Sequence, residues 1–404
     1  PVGFSYCGKT PPPFPGKGGC PQWNDTSTGI ENRNLLDTFF RNMFPDFAKL
    51  PMFIAGESYA GVYIPELVKA IMASPGVLNL RGFAIGNGCM GSSSLGGCGL
   101  DDEWLLLKFL HNHATISDDM FDHVVMTCGK DALRDGTYRH VAGCTDALSA
   151  MRRSVGGYYE YDLYDECWEF GDKLSINGDN WGRRPSGGDY RCGSTRGYFT
   201  YMNNSAVKKA LHVPDIEFMD ADGTWKGYTM TERNLEPWYK ELAKDPKAPR
   251  VLIYSGDTDT SVNYLGTLEW TAALNLPVSS PWRPWTLDGR RAVAGYITQY
   301  KTTSSLDVVV VRGSGHMVPQ MKPRAALELI TRWMADEPLR PYHDDHGSDN
   351  GDNVARSGSE AEVEEEMAEV RRTLEWERAR WQRREASLLA RLERLGAQHS
   401  QARE

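Results

Sequence analysis

No stretch of this chain has the roughly 20 consecutive apolar residues that a bilayer-crossing helix requires. Positive charge is in deficit: 45 Lys and Arg stand against 54 Asp and Glu, a net charge of −9. That leaves no basic footprint for a phosphate backbone, and no nucleic-acid partner is expected. The paired Cys-x-x-Cys spacings of zinc sites are absent, and His343-Asp344-Asp345-His346 fits neither an EF-hand loop nor a zinc pattern. No metal and no cofactor are therefore expected. The eight cysteines (Cys7, Cys20, Cys89, Cys98, Cys128, Cys144, Cys167, Cys192) are even in number, which points to disulfides and an oxidising compartment. Pairing in sequence order is one arrangement, and the spacing does not select among the alternatives.

What the chain does contain is three short stretches that end apolar runs. The first is Gly56-Glu57-Ser58-Tyr59-Ala60-Gly61, after Pro51-Met52-Phe53-Ile54-Ala55, which reads as a buried strand. The second is Ser255-Gly256-Asp257-Thr258-Asp259, after Val251-Leu252-Ile253-Tyr254. The third is Gly313-Ser314-Gly315-His316-Met317-Val318-Pro319, after Val308-Val309-Val310-Val311. In chain order they supply a serine, an aspartate and a histidine, the order of α/β-hydrolase triads. A serine hydroxyl needs a base to become a nucleophile, and the base needs a carboxylate to hold its tautomer and stabilise its cation. Strand, tight turn and helix around Ser58 is the context of a nucleophile elbow. Alone, that hexapeptide would also suit an ordinary strand–helix turn with a capping serine. In the second stretch Asp257 and Asp259 compete for the role of the acid, and Asp257 could equally cap the turn.

These residues resemble the serine carboxypeptidase family, of the yeast-vacuolar and cathepsin A type. The likeness rests on the three stretches, on Ile85-Gly86-Asn87-Gly88, on Pro1-Val2-Gly3-Phe4-Ser5-Tyr6, and on Pro323 with the helix behind it. It covers roughly residues 1–340. The resemblance implies an α/β-hydrolase fold with a central, mostly parallel sheet and a helical cap insertion. It implies Ser58 as nucleophile, His316 as base and Asp259 as acid. Tyr59 would donate its backbone N–H to the oxyanion, Glu57 would meet the substrate's terminal carboxylate, and Met317 would line the pocket for the last residue. The activity implied is removal of C-terminal amino acids from peptides and proteins at acidic pH, in a lysosome or vacuole or after secretion. A homodimer is one state known in such a family. The family's Asn-Gly-Gly-Pro-Gly segment, which supplies a second oxyanion donor, has no counterpart here. The expectation is an N-terminally incomplete chain whose activity is impaired. Two other readings accompany the peptidase: a carboxypeptidase-like acyltransferase, and an inactive member that acts as a binding protein.

The chain divides into residues 1–90, the first part of the hydrolase core; 91–235, the cap insertion; and 236–340, the second part of the core. Strands are expected at 78–85, 251–254 and 308–311, and helices at 101–111, 118–128 and 324–334. Residues 341–359 read as an acidic linker and 360–404 as a charged C-terminal helix. In that helix Met367, Leu374, Trp381, Leu388 and Leu395 recur every seventh position, but Glu377, Arg384 and Arg391 spoil the second seam. The helix either binds a partner, pairs as a coiled coil, or stands alone in solvent. Two glycosylation sequons begin at Asn24 and Asn203.

Overall fold

The computed structural model describes residues 3–4, 22–91, 103–165, 200–218 and 228–343. They lie in the first of two compact units, Pro1–Asp344. The acidic linker and charged helix expected beyond residue 343, and Cys7, Cys20, Cys98, Cys167 and Cys192, lie outside the described residues.

Eight strands are described: β1 (Trp23–Asn24), β2 (Met52–Glu57), β3 (Leu80–Gly86), β4 (Tyr228–Thr229), β5 (Arg250–Gly256), β6 (Val278–Thr286), β7 (Val293–Tyr300) and β8 (Leu306–Val311). Six of them form one sheet in the order β2-β3-β5-β8-β7-β6. β2, β3, β5 and β8 run parallel, and β7 and β6 extend the sheet antiparallel. β1 and β4 pair separately, Trp23 opposite Tyr228.

The apolar runs of β5 and β8 are continuous because both faces of the sheet are covered. Alternate residues go to opposite sides. Phe83, Ile85, Val251, Ile253 and Val308 pack with the helices Ala60–Ala73, Glu236–Leu242 and Tyr264–Ala273. Ala84, Leu252, Tyr254, Val309 and Val311 pack on the other side with Leu329 and Trp333 of the helix Pro323–Ala335. This is the period-two alternation of a pleated strand buried between two helical layers.

Two expectations need correction. β2 is the outer strand of the sheet among the described residues; it is half-buried and Ala55 is exposed, so it is not the buried strand its apolar run suggested. The pair β6–β7 was not anticipated at all. Pro281 and Pro284 interrupt the apolar pattern of β6, and a strand tolerates proline there because β6 lies at the other edge.

Between β3 and β5 the described chain contains the helices Glu103–Asn112, Asp118–Cys128, Lys130–Asp135 and Cys144–Val155. They enclose their own apolar cluster, centred on Leu107, Phe109, Val124, Leu133 and Met151, which reaches the sheet-covering helices through Leu265. A disulfide joins Cys128 to Cys144 with the Cα atoms 4.8 Å apart. Its partners lie 16 residues apart in sequence, and closing a loop of that size contributes about 3 kcal/mol in the chain-entropy account. Cys89 is also disulfide-bonded.

Candidate active site

Parallel strands bring their C-terminal ends to one edge of a sheet, and open α/β sheets bind ligands at that edge. Here four neighbouring strands each deliver one polar residue: Ser58 follows β2, Asn87 follows β3, Asp259 follows β5 and His316 follows β8.

Ser58 sits between the last residue of β2 and the helix Ala60–Ala73 with φ at +62°. That left-handed conformation costs a serine roughly 1–2 kcal/mol, so the surroundings must impose it. They do so with backbone bonds. The Ser58 N–H donates to the Gly86 carbonyl (3.0 Å), and the Ser58 carbonyl accepts from the N–H groups of Gly61 (2.9 Å) and Cys89 (3.0 Å). Small residues permit the approach: a Cβ on Gly61 would lie 2.3 Å from the Cys89 carbonyl oxygen. Tyr59 heads the helix, so its N–H stands where the macrodipole favours negative charge.

The Asp259 Oδ2 and His316 Nδ1 atoms are 2.6 Å apart. Both side chains are buried, at 0% and 4% exposure, so the pair is little screened by solvent. Asp259 also accepts from Asn87 Nδ2 (2.8 Å) and from the N–H groups of Ser261 (2.9 Å) and Val262 (3.3 Å). Asp257 points elsewhere: its Oδ1 accepts from the Gly313 N–H at 2.6 Å. Of the two competing aspartates, the structure therefore places Asp259 against the histidine and Asp257 against the loop before it.

The loops after β5 and β8 are joined directly. The Thr258 N–H donates to the Ser314 carbonyl (2.9 Å). A Cβ on Gly256 would collide with the Gly315 carbonyl oxygen at 2.1 Å, so only glycine lets the loops meet. Asn87, buried with φ at +40°, ties β3 to the end of β5 and to the loop after it: its Oδ1 accepts from the Gly256 N–H (3.0 Å) while its Nδ2 holds Asp259.

A strap at residues 159–163 lies over this junction. The His316 N–H donates to the Tyr161 carbonyl (2.7 Å), and the Tyr161 ring stacks on the imidazole with centroids 4.7 Å apart. The Leu163 N–H donates to the Thr258 carbonyl (2.8 Å), and the Thr258 hydroxyl to Asp162 Oδ1 (2.7 Å). Sequence reasoning missed the strap and the part played by Asn87. The tetrapeptide Ile85-Gly86-Asn87-Gly88 was a signal for the latter; nothing local marks the strap.

Glu57, the last residue of β2, is partly buried. Burial raises its carboxyl above the ordinary range; the nearby His316 opposes this and Asp259 adds to it. Burial, with the Glu57 charge, also pushes the Tyr254 phenol up to about 12. Met317 follows His316, half-buried, at the head of the short helix Val318–Met321. Asn24 caps the helix Asp25–Thr38, its side chain accepting from the Ser27 N–H at 2.8 Å, and Asn203 Oδ1 accepts from the Phe218 N–H at 2.8 Å. Among the described residues no cluster of three metal-ligating side chains occurs.

Residues 1–336 match the family model for serine carboxypeptidases. The chain belongs to the serine carboxypeptidase family. Its activity is accordingly that of a serine-type carboxypeptidase. It is 27% identical to serine carboxypeptidase 1 of Hordeum vulgare over 368 residues, covering 78% of this chain and 69% of the relative. It is 29% identical to the lysosomal protective protein of Mus musculus over 347 residues, covering 78% and 70%. Among solved structures it is similar to a prohormone-processing carboxypeptidase of Saccharomyces cerevisiae, with a TM-score of 0.56 over 81% of this chain and 70% of that one. At 15% identity that likeness speaks for the fold, the α/β-hydrolase architecture with its mostly parallel sheet.

Proposed function

We propose that Ser58, His316 and Asp259 are the catalytic triad by which this carboxypeptidase releases C-terminal amino acids at acidic pH. The observation that carries the reading is the buried Asp259–His316 contact at 2.6 Å, on the strand edge where Ser58 sits in an imposed positive-φ turn. In the first step Ser58 Oγ attacks the scissile carbonyl and His316 Nε2 takes its proton. Asp259 holds the opposite ring nitrogen, which selects the tautomer and stabilises the imidazolium. The tetrahedral oxyanion accepts from the Tyr59 N–H. Collapse expels the C-terminal amino acid, which receives the proton from His316, and leaves an ester on Ser58. Water, deprotonated by the same histidine, cleaves the ester and restores the hydroxyl.

Glu57 meets the substrate's terminal carboxylate in its protonated form, as a donor, because two carboxylates cannot both stay ionised at contact distance. Its upward shift extends that form toward higher pH. Met317 lines the pocket for the departing residue. Residues 91–235 act as the cap that walls the cleft and selects for chain ends. A lysosomal, vacuolar or secreted location fits the disulfide chemistry and the name of the lysosomal relative. In such a location Asn24 and Asn203 would carry glycans. A homodimer, and a partner for residues 360–404, are further proposals that light scattering of the full chain tests.

The test of the triad is fluorophosphonate labelling together with release of free amino acid from a blocked dipeptide at acid pH. Labelling confined to Ser58, lost in Ser58→Ala, with turnover reduced on the order of 10⁶-fold, is the expected result. Labelling elsewhere, or turnover that survives Ser58→Ala, overturns it. Transfer of the acyl group to an added alcohol in place of water would instead favour the acyltransferase reading.

A further inference from the structure

Asp25 stands at the first turn of the helix Asp25–Thr38 and is completely buried. A buried carboxylate is costly unless its lone pairs are filled. Here Oδ1 accepts from the hydroxyls of Tyr59 (2.9 Å) and Tyr228 (2.6 Å), and Oδ2 from the N–H groups of Thr231 (2.5 Å) and Glu232 (2.6 Å). These donors come from the elbow and from a segment some 200 residues away, so the carboxylate is a junction rather than a local cap. The junction is rigid on both sides. Four residues on, Gly29 packs the same helix so tightly against the elbow helix that a Cβ would lie 2.6 Å from the Glu66 carbonyl carbon. Lys69 then ties Glu232 back to that helix, 2.8 Å from Glu232 and 2.6 Å from Glu66. Burial first, and the bond to Asp25 next, raise the Tyr59 and Tyr228 phenols, which therefore stay protonated as donors.

We propose that Asp25 is a positioning residue for catalysis: by clamping the Tyr59 hydroxyl it fixes the backbone at the head of the elbow helix, and so aims the Tyr59 N–H at the oxyanion. This rests on the reading of Tyr59 as the oxyanion donor. The side chain and the amide of one residue share a Cα, so a ring held at its far end by a buried carboxylate restricts rotation of the peptide next to Ser58. Oxyanion donors act only when held within a few tenths of an ångström of the developing charge.

The experiment compares wild type, Ser58→Ala, Tyr59→Phe and Asp25→Asn, with fluorophosphonate titration to count folded sites. Asp25→Asn can meet all four partners only with its amide oxygen toward the Thr231 and Glu232 N–H groups and its N–H₂ donating to the phenol oxygens, which turns both phenols from donors to acceptors and endangers the fold. Tyr59→Phe removes one hydroxyl and leaves Asp25 its other donors. The expected result for Tyr59→Phe is a drop in kcat per titrated site of about ten- to thirtyfold, with KM within about twofold. That is smaller than the about 10²–10³ of deleting a donor, because the N–H is misaimed rather than lost. Binding of a peptide aldehyde, whose adduct with Ser58 carries the oxyanion, should weaken by a similar factor, and binding of the product amino acid should not. A lowered melting temperature with kcat per site and aldehyde affinity unchanged would overturn the proposal, since that is what a structural role alone gives. Wild-type turnover that survives Ser58→Ala would instead remove the underlying triad reading, and the positioning role with it.

Discussion

A Cβ placed on Gly56 would stand 2.6 Å from the Cβ of Ala60 and 2.9 Å from Ile64 Cδ1. The elbow therefore has room for one methyl group between these two positions, and the sequence spends it at residue 60. Gly56→Ala should push the start of the helix Ala60–Ala73 away from β2 and carry Ser58 with it. The expected outcome is a loss of about 1–3 kcal/mol in denaturant unfolding, with slower fluorophosphonate labelling of Ser58. Adding Ala60→Gly moves the methyl to the other side of the gap and should recover most of both losses. Failure of the double variant to recover would mean that Gly56 is needed for its backbone and not for its size.

Asn87 joins the end of β3 to the end of β5 and to the loop after it through one side chain. Asn87→Ala strips a donor from the buried Asp259 and leaves the Gly256 N–H without its acceptor. Leaving such groups unmet costs about 1–3 kcal/mol, so stability should fall by that amount. The catalytic loss should show in kcat more than in KM, because a looser Asp259 holds His316 less well when the imidazole becomes charged. Asn87→Asp should be worse than Ala, as it sets a second carboxylate against Asp259. Unfolding curves and steady-state kinetics on the same preparations separate the two effects.

How far the chain could be read in advance depended on whether the signal was local. Val251-Leu252-Ile253-Tyr254 and Val308-Val309-Val310-Val311 announced β5 and β8 because strands covered on both faces need no polar residue to break the run. Met52-Phe53-Ile54 has the same appearance, yet β2 is half-exposed, since a strand's place in the sheet is not written in its own residues. Pro281 and Pro284 hid β6, whose position at an edge makes them harmless. Asp257 and Asp259 were indistinguishable as a dipeptide-spaced pair. The difference between them is geometric: side chains two apart in an irregular turn diverge, one toward Gly313 and one toward His316. The stacking of Tyr161 on His316 links residues 155 apart and could not be read from either segment.

The disulfide Cys128–Cys144 pins the helix Asp118–Cys128 to the start of the helix Cys144–Val155. These helices pack around their own apolar cluster, so its loss should be felt there first. Cys128→Ser with Cys144→Ser should cost about 2–5 kcal/mol and appear in hydrogen exchange as lost protection over residues 118–155 before the sheet is affected. Uniform loss of protection in sheet and helices would show that the two regions unfold as one unit.

Glu57 gives the pH dependence a definite sign. Burial, the larger cause, and Asp259 hold its carboxyl above the ordinary value, while His316 pulls the other way, with a net upward shift. The protonated form is the one that can donate to a substrate carboxylate, and it is full below the raised value and lost as pH climbs through it. KM should therefore be low and flat in acid and then rise with pH, by up to tenfold per unit once Glu57 is ionised. Glu57→Gln keeps a donor at every pH, so its KM should stay near the acid value of the wild type through the range where the wild type's rises. A peptide amide, which has no terminal carboxylate, should show no such rise even with the wild type. If KM of Glu57→Gln climbs in parallel with the wild type, the titrating group is not Glu57, and the carboxylate clamp must be sought elsewhere along the strand edge.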